Sequence, residues 1–160
     1  MTILKIVECP ADILDSPAND VPVNEIKSSA IQTLIQDMID TCHDAGGYGL
    51  AANQVGSDKS ILVYRMPGTN DYSTLINPVI MARNGKVTSR GEGCLSIPDA
   101  YFDVKRYKQI KVEALNADGE FGGMRTKSKK VAKILQHEID HLDGVLFTDK
   151  GKAVRGVYRS

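Results

Sequence analysis

The first strong periodicity in the chain is Ile31, Leu34, Ile35, Met38, Ile39 and Cys42, apolar positions three and four apart. This spacing predicts an amphipathic helix that closes at Gly46 and Gly47. Cys42 continues the stripe, which makes it a core residue. From Ser60 the texture changes to short β-rich runs, Ile61 to Tyr64, Thr74 to Ile80 and Ile110 to Leu115, the last alternating apolar and polar residues. Asp118 and Gly119 mark a turn into a further run around Phe121. Near the C-terminus, Ser128 can cap a second helix that carries Val131, Ile134, Leu135 and Leu142 on one side and stops at Gly144. Together these elements predict an α+β fold, with antiparallel strands packed around one central helix.

Length and composition narrow the class. At 160 residues the chain is long enough for one core, so residues 1–160 are read as a single domain, with no internal repeat or linker-like stretch. Lys plus Arg is 20 and Asp plus Glu is 20, and no run of like charge points to nucleic acid or an anionic membrane as a partner. Met1 to Val7 is too short an apolar stretch for a signal peptide, and no apolar span is long enough to cross a bilayer. A soluble cytoplasmic protein, working as a monomer, is expected. Cys9, Cys42 and Cys94 are too few, and odd in number, for a disulfide framework, which suits a reducing compartment.

The candidate chemistry lies in the second helix. His137, Glu138, Ile139, Asp140 and His141 spell H-E-x-x-H. Residues four apart lie about 40° apart around a helix axis and roughly 6 Å along it, so two imidazoles can grip one cation from the same face. Ile134 sits a turn earlier on nearly the same bearing, and the flanking apolar stripe places the ion at the floor of a cleft. Ordinary helical histidines at this spacing are the plainer alternative. His43, at the end of the first helix, suits a favourable contact with the helix dipole instead.

An open catalytic site needs a third protein ligand. No glutamate follows Glu138, and the position that a longer protease motif fills with histidine is Phe147. Both protease plans therefore lack their third ligand. Asp143 points along another helical bearing, and Asp149 follows the apolar exit Val145 to Phe147. Cys94, set between glycines in Gly91-Glu92-Gly93-Cys94-Leu95-Ser96, is the stronger candidate, its alternative being a small buried hydrophobe.

Three segments in register resemble the peptide deformylase family: Gly47-Tyr48-Gly49-Leu50-Ala51-Ala52-Asn53-Gln54, then Glu92-Gly93-Cys94-Leu95-Ser96, then Gln136-His137-Glu138-Ile139-Asp140-His141. The likeness runs from an N-terminal strand to about Asp149. It implies Cys94, His137 and His141 as ligands of one divalent metal, iron(II) in the cell, with zinc, nickel or cobalt as alternative occupants. It also implies Glu138 as the proton carrier, and the Gln54 side-chain amide and Leu95 backbone N–H as donors to the developing oxyanion. N-formyl-methionyl peptides and nascent chains are the implied substrates. Gly47, Tyr48, Gly49, Glu92 and Ile134 are the implied substrate-binding positions, with Tyr48 and Ile134 at an apolar pocket for methionine.

Two departures are visible. Many bacterial members continue into another helix after the position of Phe147, whereas here Gly151, Lys152, Arg155 and Arg159 form a short polar tail. The helix is therefore read as missing, which puts ribosome docking in doubt and resembles the trimmed deformylases of some bacteriophages. Arg90 and Lys133 stand near motif residues where an apolar pocket wall is expected. A small metallopeptidase and a non-catalytic binder of nascent chains are the competing readings. Cleavage of an unblocked peptide would mark the first, and the presence of Glu138 and Gln54 argues against the second.

Overall fold

The computed structural model describes residues 2–154. The fold is α+β. Helix α1 (Ser29–Asp44) starts where Ser28 Oγ accepts from the Ile31 N–H, and Gly46 at φ +66° follows its end. Strands β1 (Gly49–Ala51), β2 (Ile61–Arg65), β3 (Tyr72–Cys94), β4 (Ile97–Leu115) and β5 (Phe121–Arg125) form an antiparallel sheet in that order. Helix α2 (Lys129–Leu142) is capped as expected, Ser128 Oγ accepting from the Val131 N–H at 3.1 Å. A one-turn helix α3 (Phe147–Lys150) and a short strand β6 (Lys152–Ala153), paired to β4, complete the described chain.

The two long helices lie on opposite faces of the sheet. Ile31, Ile35, Met38 and Cys42 of α1 bury against Leu50, Ile61, Val63 and Ile76. Val131, Leu135, Ile139 and Leu142 of α2 bury against Ala51, Leu62, Tyr64, Ile110 and Val112. Successive residues of β2 thus enter different cores, because strand side chains alternate between faces. This is why Ile61 to Tyr64 is one continuous apolar run.

The strands around Thr74 to Ile80 and Ile110 to Leu115 are much longer than their apolar patterns. They are the outer parts of one hairpin, a 23-residue β3 and a 19-residue β4 joined by the two-residue turn Leu95-Ser96. Residues 81 to 86 are exposed on both faces, so no alternation betrays them. The ladder shifts register between Ile76 and Val79, Ile80 and Ala82, Ser89 and Glu92, and Glu92 and Cys94. Such bulges bend and twist a hairpin, and here its tip ends beside α2.

Two expectations need correction. The helix after Phe147 is present as α3. Leu146 N–H donates to Asp149 Oδ2 at 2.9 Å, and Phe147 is buried against Phe102 with ring centroids 4.9 Å apart. A capped first turn and one buried aromatic suffice to fix a helix that the polar composition concealed. Arg155 and Arg159 of the tail lie outside the described residues. The N-terminal segment, expected as a strand, joins no ladder. Its Val7 N–H donates to the Gln54 carbonyl and its Cys9 N–H to the Ser96 carbonyl, each at 2.8 Å, so it braces both loops of the site instead.

Gln136 joins α2 to the hairpin. Its Oε1 accepts from the Tyr107 N–H at 2.8 Å and its Nε2 donates to the Tyr107 carbonyl at 2.9 Å. Gln136→Ala leaves that backbone pair without partners in a partly buried place and is expected to lower stability by about 2 kcal/mol. Urea unfolding checks this; an unchanged midpoint would mean that the clamp holds nothing.

Candidate active site

The hairpin tip and α2 meet at three groups. Cys94 Sγ lies 3.2 Å from His141 Nε2, and one donor atom from each of Cys94, His137 and His141 lies within 4.8 Å of the others. His141 is wholly buried, while Cys94 and His137 are partly exposed, so the cluster has a closed floor and an open side. A cleft of about 440 Å³ opens there, lined by Gly47, Tyr48, Gly49, Gln54, Glu92, Cys94, Leu95, Ile134, His137 and Glu138, with Pro98 to Tyr101 on the hairpin wall.

One of the two imidazoles is held from behind, whereas His141 Nδ1 has no hydrogen-bond partner among the described residues. His137 Nδ1 bonds Glu92 Oε1 at 3.1 Å, which leaves Nε2 to face the cluster. Glu92 is bound in turn by Arg106, through Nε at 3.0 Å and Nη2 at 2.9 Å. Arg106 also pairs with Asp140, and Asp140 Oδ1 accepts from Lys150 of α3 at 2.7 Å. Glu92 lines the cleft as expected, but both its oxygens are engaged with this chain.

Electrostatics at the cluster favour a positive charge. Burial alone would raise the Glu92 pKa, yet the bonds from His137 and Arg106 hold it down at about 2. Burial works against charge on His137, but its bonds to Cys94 and Glu92 prevail and its pKa rises to about 10. Burial, then the neighbouring His137 and Arg106, pushes His141 down to about 3, so that ring is neutral, the form that binds a metal. One sulfur and two imidazoles gathered on an open-sided floor fit a divalent ion, which would take the place of the proton on His137.

Two further groups face the same space. Glu138 is buried, and burial lifts its pKa to about 7. Its Oε2 has no hydrogen-bond partner among the described residues. A buried carboxylate oxygen left unpaired is costly unless a water or substrate completes it. Gln54 is also buried; its Oε1 accepts from the Ala51 N–H at 3.0 Å, which fixes the amide so that Nε2 points toward Ser96 Oγ at 3.2 Å and Cys94 Sγ at 3.8 Å. Leu95 opens the hairpin turn, which sets its N–H outside the ladder.

Strand β1 forms the rim. The Tyr48 carbonyl accepts from the Arg65 N–H, so by antiparallel alternation the N–H and C=O of Gly49 point away from β2, toward the sheet's free edge. Gly49 has a second constraint. A Cβ there would stand 2.7 Å from Glu138 Oε1 and 2.8 Å from its Cγ, so the glycine is the seat of the Glu138 side chain. At Gly47 the crowding atoms are Leu95 Cδ1 and Cys42 Sγ.

Other candidates fall outside. His43 is exposed at the end of α1, its ring edge-on to Tyr72. Arg90 is exposed on β3, away from the cleft lining, whereas Lys133 lines the cleft. Arg106 was missed in the sequence because it sits in a polar stretch of β4. Asp140 was read only as a spacer of the motif, although its place one residue from His141 could have raised the question of its partner.

An open-sided trio of soft and imidazole donors, a buried carboxylate and an oriented amide are together the parts of a metal-dependent hydrolase. The comparisons agree. The family model for polypeptide deformylase matches residues 3–156, and the chain belongs to that family, metal-dependent enzymes that remove the N-formyl group from nascent peptides. The peptide deformylase of Desulfitobacterium hafniense is 45% identical over 95% of this chain and 97% of its own length. Among solved structures, a peptide deformylase from Legionella pneumophila superposes with a TM-score of 0.86 at 36% identity, covering 93% of this chain and 86% of that one. A Met-Ala-Ser-bound class I type b peptide deformylase from Acinetobacter baumannii gives 0.86 at 30% identity, covering 93% and 98%. Among the described residues, no helix is long and apolar enough to cross a membrane.

Gly49→Ala is expected to push Glu138 from its seat while sparing the three cluster residues. Formate release should fall roughly a hundredfold, as displacements of about 1 Å do elsewhere, with metal content unchanged. Undiminished turnover would show that the contact is not needed.

Proposed function

We propose that this chain hydrolyses the formyl–nitrogen amide bond of N-formyl-methionyl peptides and nascent chains, releasing formate, with Cys94, His137 and His141 as the ligands of one divalent ion. The reading rests chiefly on one observation: the unpartnered, buried Glu138 Oε2 lies beside the Cys/His/His cluster at the head of an edge strand. Iron(II) is the proposed metal in the cell, and the donor set also admits zinc, nickel or cobalt. When bound, such an ion supplies an activated water near neutral pH and a positive charge facing the reacting carbonyl.

The chain's own groups do the rest. Glu138 takes the proton that the attacking water loses and returns it to the leaving amine as the C–N bond breaks. Gln54 Nε2, oriented because Ala51 occupies its oxygen, donates to the oxygen that becomes negative, together with the Leu95 N–H. Glu92 keeps His137 aimed, and Arg106 keeps Glu92 charged.

The free edge of β1 receives the peptide backbone at Gly49, so recognition is largely independent of side chains. Tyr48 and Ile134 border the methionine side chain, and Gly47, also in the cleft lining, lets Leu95 and Cys42 pack close behind it. A relative crystallised with Met-Ala-Ser, which begins with the residue that deformylation exposes, supports this placement. We propose that residues 1–160 act as one catalytic unit, a monomer in the bacterial cytoplasm.

Glu138→Ala is expected to keep its metal and lose turnover by roughly a thousandfold or more; parallel loss of metal would make it a ligand instead. Cys94→Ser is expected to bind metal more weakly, a hydroxyl being the poorer soft donor. Metal analysis paired with formate release from formyl-Met-Ala distinguishes these outcomes. Cleavage of an unblocked peptide without any formate release would replace the reading with a peptidase.

A further inference from the structure

The wall of the cleft nearest the start of α2 is cationic, and none of its charges is balanced. Lys133 lines the cleft. One helical turn further from His137, Lys130 Nζ lies 3.8 Å from the centre of the Tyr48 ring, and Arg65 Cζ lies 4.7 Å from the same centre. Tyr48 is itself a cleft residue, so Lys130 and Arg65 gather at the end of the cleft that Tyr48 borders, with Lys133 in its lining. None of them takes part in the ion pairs among the described residues. Arg65 Nε is buried without a hydrogen-bond partner.

Helix energetics do not explain this placement. The first turn of a helix favours acidic residues and disfavours cations, yet α2 begins Lys129-Lys130 and has no acid in that turn. Lys130 is met by the face of Tyr48, itself a cleft residue, and Lys133 is in no ion pair among the described residues, so this departure from a local rule points to the cleft. Of the acids along the cleft, Glu92 is committed to Arg106 and His137, Glu138 is buried on Gly49, and Asp99 lies on the hairpin wall.

The direction of a bound peptide follows from two contacts. Glu138 packs on Gly49, whereas Lys130 packs on the preceding residue, Tyr48. A peptide that starts at the cluster and pairs with the β1 edge therefore runs antiparallel to β1, toward Tyr48. Along α2, Lys133 and Lys130 are about 6 Å and 10 Å from His137. An extended peptide advances roughly 3.3 Å per residue, which brings its second residue level with Lys133 and its third level with Lys130.

We propose that Lys130, Lys133 and Arg65 form a subsite for acidic side chains at the second and third residues of the substrate, so that formyl-methionyl chains continuing with Asp or Glu are preferred. The lysine stems can still pack against methionine while their ammonium groups remain in water. This rests on the deformylase reading given above.

The test compares C-terminally amidated formyl-Met-Glu-Glu, formyl-Met-Ser-Ser and formyl-Met-Lys-Lys on the metal-loaded native enzyme. Amidation keeps a terminal carboxylate from occupying the subsite in place of a side chain. At low salt kcat/KM should favour the acidic over the basic peptide by roughly tenfold, and the ratio should shrink toward one at about 0.5 M salt. Lys130→Gln combined with Lys133→Gln should flatten the series, whereas Lys27→Gln, outside the cleft, should leave the ratio as it was. Equal kcat/KM for all three peptides at low salt, with the serine peptide turned over, overturns the subsite and keeps the deformylase reading. No turnover of any peptide overturns that reading; calorimetric binding of Met-Glu-Glu, Met-Ser-Ser and Met-Lys-Lys amides then decides the subsite, equal affinities rejecting it.

Discussion

Arg106 is a cation almost wholly withdrawn from water, at 3% exposure, and the site depends on how that charge is met. Glu92 meets it from the last stretch of β3 and Asp140 from the last turn of α2. Withdrawing an ion from water is expensive, and mutual attraction offsets the loss only with close geometry and nearly complete hydrogen bonding. The two-pronged contact with Glu92 supplies that geometry. Because its two partners sit on different elements, the same interaction fixes the hairpin tip against the helix. Cys94 lies two residues beyond Glu92, and His141 directly follows Asp140, so holding the charges in register also holds the sulfur and the imidazole in register. The C-terminal turn takes part as well, since Lys150 closes the outer side of Asp140.

Strand β1 shows how little chain the remaining chemistry needs. Three residues define the sheet edge, and each polar group on that edge has a separate destination. The Ala51 N–H occupies Gln54 Oε1 and so decides which way the amide faces. Gly49 presents its backbone to the cleft and, lacking a side chain, admits Glu138 from behind. A free edge this short suits the peptide placement proposed above, since a longer one would invite pairing with other chains.

The sequence made legible whatever is written in period or in motif. The stripe of α1, the cap at Ser128, the β-rich run Ile61 to Tyr64 and the H-E-x-x-H helix all follow from local pattern, and the structure brings Cys94 to His137 and His141 as the family resemblance implies. The long hairpin was legible only at its outer ends, because residues exposed on both faces leave no alternation to read. Helix α3 was hidden for a related reason: one buried ring and one capping carboxylate give too small a signal within a polar tail. Arg106 was hidden because a buried charge is defined by partners distant in sequence, and its pairing with Glu92 and Asp140, 14 and 34 positions away, has no local trace. The resemblance implies Gly49 only as a substrate-binding position, whereas a side chain there would meet Glu138 first, a contact that only the packing of α2 on β1 could reveal.

Helix α2 carries its charges against its own dipole. Lysines occupy the first turn, where acids are favoured, and Glu138 and Asp140 stand toward the end, where cations are favoured. The helix forms because Ser128 caps it and because Val131, Leu135, Ile139 and Leu142 bury on the sheet. Packing of that kind supplies more stability than charge–dipole terms remove. With stability secured by the buried face, the cleft face is free to carry a buried acid and two imidazoles, the groups to which the proposed function assigns proton transfer and metal binding.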